Sequence, residues 1–336
     1  MILRSDGSLW AAGNNNYGQL GVGDFESRNT FTQVRISNVK EIYGAIYYYF
    51  AQKENGEVYS WGENDSGQLG IGSKENQAQP VKVSIDNVET IYPYWYHTFL
   101  RKKDGTIWSS GENTSKQLAL GEDNREEHIL NFEQVFIEDV NDIKLGAQNT
   151  FFIKKDGTLW GCGSNYYGML GKGFSLTSTD LIKLEVDQVE EMATNARTTI
   201  IRKKDGSVWS LGYNARGEAG VGHHEQVLDF TEIGLSKIEQ ITGFYSECFA
   251  IDEQKVLWGW GFNTSGMLAN GSLQSILQPQ KIGIGDFKQI YTGGLTTYII
   301  KDDESLWAVG CNENGEMGLG NNVATYLEPV KIDFIK

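Results

Sequence analysis

The chain is short of the residues that would give it a simple explanation. In 336 residues it has three cysteines, four prolines and four histidines, and 29 lysines and arginines against 44 aspartates and glutamates. Cys162, Cys248 and Cys311 fall in different stretches with no CxxC pair, so they read as buried free thiols rather than a disulfide framework. Scarce proline excludes a Gly/Pro-rich disordered chain. A formal charge of −15 argues against a nucleic-acid partner, because that affinity comes mostly from Lys and Arg neutralising phosphates. No apolar run approaches the roughly 18–20 residues of a membrane span, and no signal-peptide n-region and h-region is present.

What the chain has in excess is glycine, 40 residues against a usual level of about 7%. The glycines recur with a period. The segment DGSLWAAGNNNYGQLGVG from Asp6 returns as NGEVYSWGENDSGQLGIG from Asn55, DGTIWSSGENTSKQLALG from Asp104 and DGTLWGCGSNYYGMLGKG from Asp156. It returns again as DGSVWSLGYNARGEAGVG from Asp205, QKVLWGWGFNTSGMLANG from Gln254 and DESLWAVGCNENGEMGLG from Asp303. The anchor aromatics Trp10, Tyr59, Trp108, Trp160, Trp209, Trp258 and Trp307 are spaced 49, 49, 52, 49, 49 and 49 residues apart. Copies of one unit at this period define a repeat architecture.

Each repeat position has a physical reading. Asp-Gly or Asn-Gly between two apolar runs predicts a type I′ hairpin turn, so residues 99–101 should pair with 106–108. Gln254-Lys255 and Asp303-Glu304 lack the glycine, and these two turns are expected to differ. The anchor aromatic, able to bury roughly 150–250 Å², reads as inter-sheet core. Gly13, Gly62, Gly111, Gly163, Gly212, Gly261 and Gly310 suit a bulge or a close backbone approach. Asn15, Asn64, Asn113, Asn165, Asn214, Asn263 and Asn312 suit a loop held by its own side-chain amide. The GxxGxG that follows (Gly18, Gly21 and Gly23 in the first copy) opens no helix, so no nucleotide cofactor is expected. Two more short strands complete each unit, as at 80–83 and 88–91. Four strands per repeat without helical periodicity predict an all-β, seven-bladed propeller of four-stranded antiparallel blades, one domain over residues 1–336.

The motif DG-x-[LV]-W-x-x-G-x-N-x-x-G-Q-L-G-x-G resembles the repeat of the regulator of chromosome condensation family, over essentially the whole chain and in its bacterial type. The resemblance implies the seven-bladed fold. It implies function less well, since the family includes an exchange factor for a small nuclear GTPase, a plant ultraviolet-B photoreceptor and a secreted bacterial β-lactamase inhibitor. The family's G-x-x-H column reads Tyr48, His97, Asn149, Thr198, Glu247 and Thr296 here, and these six are expected to line a central channel. Only His97 keeps the histidine. Of the photoreceptor's Trp-bearing segments only Trp95-Tyr96-His97-Thr98 has a counterpart, and no basic N-terminal tail is present for chromatin. Photoreception and exchange activity are both disfavoured.

Around a closed ring, the stretch from Trp307 to Trp10 is about ten residues too short, the length of one strand. The closing blade is expected to have three strands, or the chain to start after its true beginning. An unpaired edge there offers an oligomer contact. The address stays open on the same ground: cytoplasmic as the chain stands, secreted or cell-surface if an N-terminal segment precedes it.

With strands named A to D and the Asp-Gly turn joining B to C, the A–B and C–D loops share one face. The A–B loops carry Tyr47, Trp95, Tyr96, Arg197 and Tyr245, and the C–D loops Tyr17, Tyr166, Tyr167 and Arg216. Tyr, Trp and Arg are enriched in interface hot spots, so this face is expected to bind a protein. A three-residue insertion near Glu122 to Asn131 adds charge to one C–D loop and reads as solvated. The expected function is a non-catalytic interaction platform without cofactor or metal. The alternatives are a secreted or cell-surface inhibitor or glycan-binding module, an exchange factor, and a metal-dependent hydrolase. For the last, His128 and His223-His224-Glu225 are the candidate ligands, with no second cluster at metal-ligand spacing. His97 has no identifiable Ser or Cys partner, and no G-x-S-x-G is present.

Overall fold

A computed structural model of the chain describes every residue except 122–123, 125, 172–177, 195–196, 244–245, 283–286, 294, 314–316, 318, 320–322 and 333–336. The fold is a seven-bladed β-propeller of antiparallel sheets, with no helix among the described residues. Blade 1 holds Ile2–Leu3, Leu9–Gly13 and Arg28–Gln33; blade 2 holds Val39–Gly44, Tyr48–Lys53, Val58–Gly62 and Gln77–Lys82. Blade 3 holds Val88–Tyr94, His97–Lys102, Ile107–Glu112 and His128–Val135; blade 4 holds Val140–Leu145, Asn149–Lys154, Leu159–Ser164 and Ser178–Lys183. Blade 5 follows with Val189–Thr194, Thr198–Lys203, Val208–Gly212 and Val227–Glu232, and blade 6 with Ile238–Gly243, Glu247–Asp252, Leu257–Gly261 and Ile276–Ile282. Blade 7 holds Phe287–Gly293, Thr296–Lys301, Leu306–Cys311 and Thr325–Ile332. Blades 2 to 7 run A-B-C-D in chain order; blade 1 has three described strands, with no strand A among the described residues.

The B–C turns are one residue longer than the Asp-Gly pair predicts. In blade 1 the Gly7 N–H donates to Arg4 O at 2.9 Å and the Arg4 N–H donates to Ser8 O at 3.0 Å. Only the third turn residue, Gly7, takes positive φ, so this is a three-residue turn with a left-handed third position, not a type I′ turn. Asp6 caps it, its Oδ1 accepting from the Ser8 N–H at 2.9 Å and the Ser8 hydroxyl at 2.6 Å. The two turns expected to differ keep the same geometry. Lys255 (φ 61°) and Glu304 (φ 64°) stand in the left-handed position and make the same bonds, to Asp252 O and Lys301 O at 2.9 Å. The ladder on either side imposes the turn, and a side chain there bears a cost of about 1 kcal/mol or more.

The anchor aromatics pack on the core, as Trp108, Trp160, Trp258 and Trp307 show, without being enclosed by it. All seven are half-buried. Strand alternation sends the neighbours Leu9, Val58, Ile107, Leu159, Val208 and Leu257 fully inward and turns the anchors the other way. Trp108 Nε1 donates to Thr106 Oγ1 at 3.0 Å, and the Lys102 ammonium lies 5.1 Å from its ring. The same lysine stack recurs at Lys203–Trp209 and Lys301–Trp307. The anchors therefore flank the core and fasten the B–C turn.

The described residues group into two compact units. One comprises Met1–Lys155, Trp160–Ser164 and Thr177–Ile182; the other comprises Asp156–Leu159, Asn165–Leu176 and Lys183–Lys336. In the first, Leu9, Val39 and Trp61 pack blade 1 on blade 2, and Phe50, Ile91 and Leu100 pack blade 2 on blade 3. In the second, Ile200, Phe249, Trp260 and Ile299 belong to a core running through blades 5 to 7. Trp61 and Trp260 are fully buried, and each indole N–H reaches a neighbouring blade, donating to Gln19 O and Glu218 O at 3.1 Å. Burying one such side chain is worth about 4–6 kcal/mol as an upper bound. The three cysteines are buried and none is in a disulfide, and burial raises the Cys162 thiol pKa well above its ordinary value.

Candidate binding face

Strand C ends on the repeated glycine, with φ between 99° and 119° in all seven copies. At that glycine the C–D register slips by two residues, as between Ser109 and Gly111, the extra residues lying in strand D. A Cβ on Gly62 would sit 2.7 Å from Tyr48 Cα, and one on Gly111 2.7 Å from His97 Cα. Gly13 meets nothing within 4 Å, because blade 1 has no described strand A whose loop would press on it. This close approach ties the two loops together. The next residue donates its N–H to the A–B loop: Glu63 to Tyr47 O at 3.0 Å, Glu112 to Tyr96 O at 2.9 Å, Tyr213 to Arg197 O and Phe262 to Ser246 O at 3.0 Å.

The asparagine that follows holds the C–D loop shut. Asn64 Oδ1 accepts from the Leu69 N–H at 3.0 Å, and its Nδ2 donates to Ser73 O at 2.8 Å and Glu75 O at 3.2 Å. Asn15, Asn214 and Asn263 repeat the pattern. The glycines of GxxGxG pack blades together; a Cβ on Gly18 would lie 2.6 Å from Ala78 Cα, and one on Gly21 2.8 Å from Trp61 Nε1. They are seams rather than a phosphate cradle.

The column Tyr48, His97, Asn149, Thr198, Glu247 and Thr296 is closed to solvent, each residue at most 4% exposed. Each stands first in strand B, against the strand-C glycine, which seals it in the interior rather than on an open passage. The Tyr48 hydroxyl donates to His97 O at 2.9 Å and accepts from the Tyr94 N–H at 3.0 Å, joining blades 2 and 3. His97 Nε2 lies 3.3 Å from Thr150 Oγ1, and burial lowers its pKa to about 3. Burial pushes Glu247 up to about 7.

The predicted face residues fall into separate groups. In the first unit Tyr17 meets Tyr47 with ring centroids 5.0 Å apart, and Trp95 meets Tyr96 edge-on at 5.8 Å. Trp95 and Tyr96 form a two-residue A–B turn in which Trp95 takes φ 42°, a strained conformation for so bulky a side chain. In the second unit Tyr167 packs on Tyr166 at 4.9 Å and on Tyr213 at 5.6 Å. The Arg197 guanidinium lies over Tyr167 at 4.8 Å and Tyr213 at 5.4 Å, and Arg216 over Phe262 at 4.3 Å. Tyr245 lies outside the described residues, as do Glu122, Asp123 and Arg125 of the inserted loop.

Four residues of this face escape the sequence reading: Glu63, Glu112, Tyr213 and Phe262. Their signal was present. The position between the strand-C glycine and the asparagine reads Asn14, Glu63, Glu112, Ser164, Tyr213, Phe262 and Cys311, a variable site inside an otherwise repeated motif. Burial first, then Glu63, Glu112, Tyr47 and Tyr17, raise the Tyr96 pKa, so these side chains share one electrostatic neighbourhood. Burial, then Asp65, raises that of Glu63.

His223 Nδ1 accepts from the Glu225 N–H at 3.2 Å, and His224 Nδ1 lies 2.9 Å from Ala215 O, so both imidazoles brace their own loop. Among the described residues no three His, Cys, Asp or Glu side chains gather as metal ligands. No helix of the described residues is long and apolar enough to cross a membrane.

The family model for the Regulator of chromosome condensation (RCC1) repeat matches residues 6–43 and 55–92, and a second model of the same repeat matches residues 140–168. No curated protein matches the chain in sequence. Among solved structures, Prp20p from Saccharomyces cerevisiae aligns at a TM-score of 0.81 and 16% identity, covering 99% of this chain and 87% of its own. Human WBSCR16 aligns at 0.79 and 17% identity, covering 98% and 94%. At these identities the likeness shows the fold.

Proposed function

We propose that the chain, a seven-bladed propeller of regulator of chromosome condensation repeats, is a non-catalytic platform that binds a protein partner on its A–B/C–D loop face. The observation that carries this reading is the set of Tyr, Trp and Arg side chains raised on loops whose bases are fixed by recurring hydrogen bonds. Rigid aromatic anchors lose little freedom on docking and are the usual centres of interface energy. The yeast neighbour is described by its binding to Gsp1p and histones and as a complex with Kap60, so protein binding is one use this fold serves. The buried titratable groups His97 and Glu247 are sealed at strand starts, which removes them from acid–base work on a substrate. Pull-down with Trp95→Ala and Tyr167→Ala is the test. At least one change should weaken capture by about tenfold, as truncation of an anchor does; if neither weakens any partner, the face assignment fails.

A further inference from the structure

On the loop face of the first unit aromatic rings and carboxylates gather, and none of the described residues lays a cation over the rings. Tyr17, Tyr47, Trp95 and Tyr96 stand on consecutive loops of blades 1 to 3, interleaved with Glu63 and Glu112. Glu63 is only 6% exposed, yet no described residue donates a hydrogen bond or an ion pair to its carboxylate, and the charge acting on it is the like charge of Asp65. A carboxylate so deeply set is ordinarily paired. Glu112 accepts one hydrogen bond, from Thr114 Oγ1 at 3.0 Å, and no described residue pairs a cation with it.

The second unit shows what is absent here. There the equivalent positions are Tyr213 and Phe262, and the chain supplies its own cations, Arg197 over Tyr167 and Tyr213 and Arg216 over Phe262. In the first unit the rings and the counter-charges are in place, and among the described residues no cation is laid on them. We infer that this aromatic–carboxylate cluster receives a lysine or arginine side chain of the partner protein, its charge facing Glu63 and Glu112 and its stem lying on the rings of Tyr47, Trp95 and Tyr96. Cations bind aromatic faces most strongly when desolvated, and a carboxylate beside the ring adds a charge-assisted bond. The inference rests on the platform reading of the same face.

Fluorescence anisotropy of a labelled hexalysine peptide on the full chain tests it. Glu63→Gln with Glu112→Gln should weaken binding by about tenfold, and Trp95→Ala similarly. The control Glu54→Gln with Glu138→Gln removes the same charge from exposed B–C and D–A positions and should weaken it by less than about twofold. Equal losses in the two pairs would reduce the effect to diffuse attraction toward an acidic chain and overturn the inference. If the double variant no longer melts cooperatively, Glu112→Gln alone serves, on a half-exposed residue, with a loss of about threefold expected and no loss counting against the site. Partner capture that survives Glu63→Gln/Glu112→Gln but is lost with Tyr167→Ala would sink this inference and leave the platform standing. Capture indifferent to both Trp95→Ala and Tyr167→Ala would remove the platform itself, whatever the peptide does.

Discussion

In blades 2 and 3 the residue after the strand-C glycine is a glutamate, Glu63 or Glu112; in blades 5 and 6 it is an aromatic, Tyr213 or Phe262. The backbone beneath is the same in both units. Each of these four residues donates its N–H to an A–B loop carbonyl at 2.9–3.0 Å, and the following asparagine pins the loop in each. The first unit thus ends in rings and carboxylates, the second in rings and guanidiniums. Positions that repeat carry the fold, and on the proposed platform reading the one variable position between them carries the chemistry offered to a partner.

Breaking the shared scaffold should cost the most and cost both units alike. Gly62→Ala and Gly212→Ala should each destabilise by about 3 kcal/mol or more, since a Cβ there meets the A–B loop backbone at positive φ. Gly13→Ala, with open space and only its φ of 112° against it, should cost about 1–2 kcal/mol. Urea denaturation would read the differences, and unequal costs at Gly62 and Gly212 would break the equivalence of the two scaffolds.

The interior column offers a second contrast. His97 in the first unit is held neutral by burial, whereas Glu247 in the second is pushed up to about 7. An acid whose folded pKa lies above its unfolded value takes up protons on folding, so stability falls as the pH rises from about 4.5 and levels off above about 7. Glu247→Gln should therefore leave stability at pH 5 nearly unchanged and raise it at pH 8 by about 2 kcal/mol. Melting curves at the two pH values decide it; an equal effect at both would show that ionisation is not the cause.

Smaller effects sharpen the comparison further. Lys255→Gly and Glu304→Gly should each stabilise by about 1 kcal/mol, by relieving a left-handed side chain in turns that carry glycine in blades 1 to 5. A loss of stability would mean that the side chains make contacts outweighing the strain. Arg197→Ala should change stability by about 0.5–1 kcal/mol at most, the worth of an exposed cation–π contact, while exposing the Tyr167 and Tyr213 rings. A larger drop in melting temperature would make Arg197 structural rather than part of a presented surface.

Much of the fold is legible in the sequence because its signals are local and repeated. The period of the anchors marks the blades, and the asparagine column marks the pinned loop. Two errors share a cause. The Asp-Gly pair suggests a type I′ turn, and the missing glycine at Lys255 and Glu304 a different one, yet the turn geometry is set by strands B and C pairing across it, as Asp252 with Val256 and Lys301 with Ser305 show. The anchor tryptophans, large and periodic, do pack on the core, as Trp108, Trp160, Trp258 and Trp307 show, but stay half-buried because alternation along strand C gives the fully buried place to neighbours such as Leu9, Ile107 and Leu257. Of the proposed face, Tyr17, Tyr47, Trp95, Tyr96, Tyr167 and Arg197 stand out in the sequence by type. Glu63, Glu112, Tyr213 and Phe262 do not, because their meaning comes from loops that are distant in sequence and meet only in the folded blade.

The most direct measurement is hydrogen exchange of the chain with and without its captured partner. Protection should concentrate in the loops around residues 44–48, 62–65, 94–97, 111–115 and 212–216, with the B–C turns at 53–57 and 203–207 unchanged. Protection confined to those turns and the D–A links, with the loop face unaltered, would contradict the assignment of this face as the binding surface.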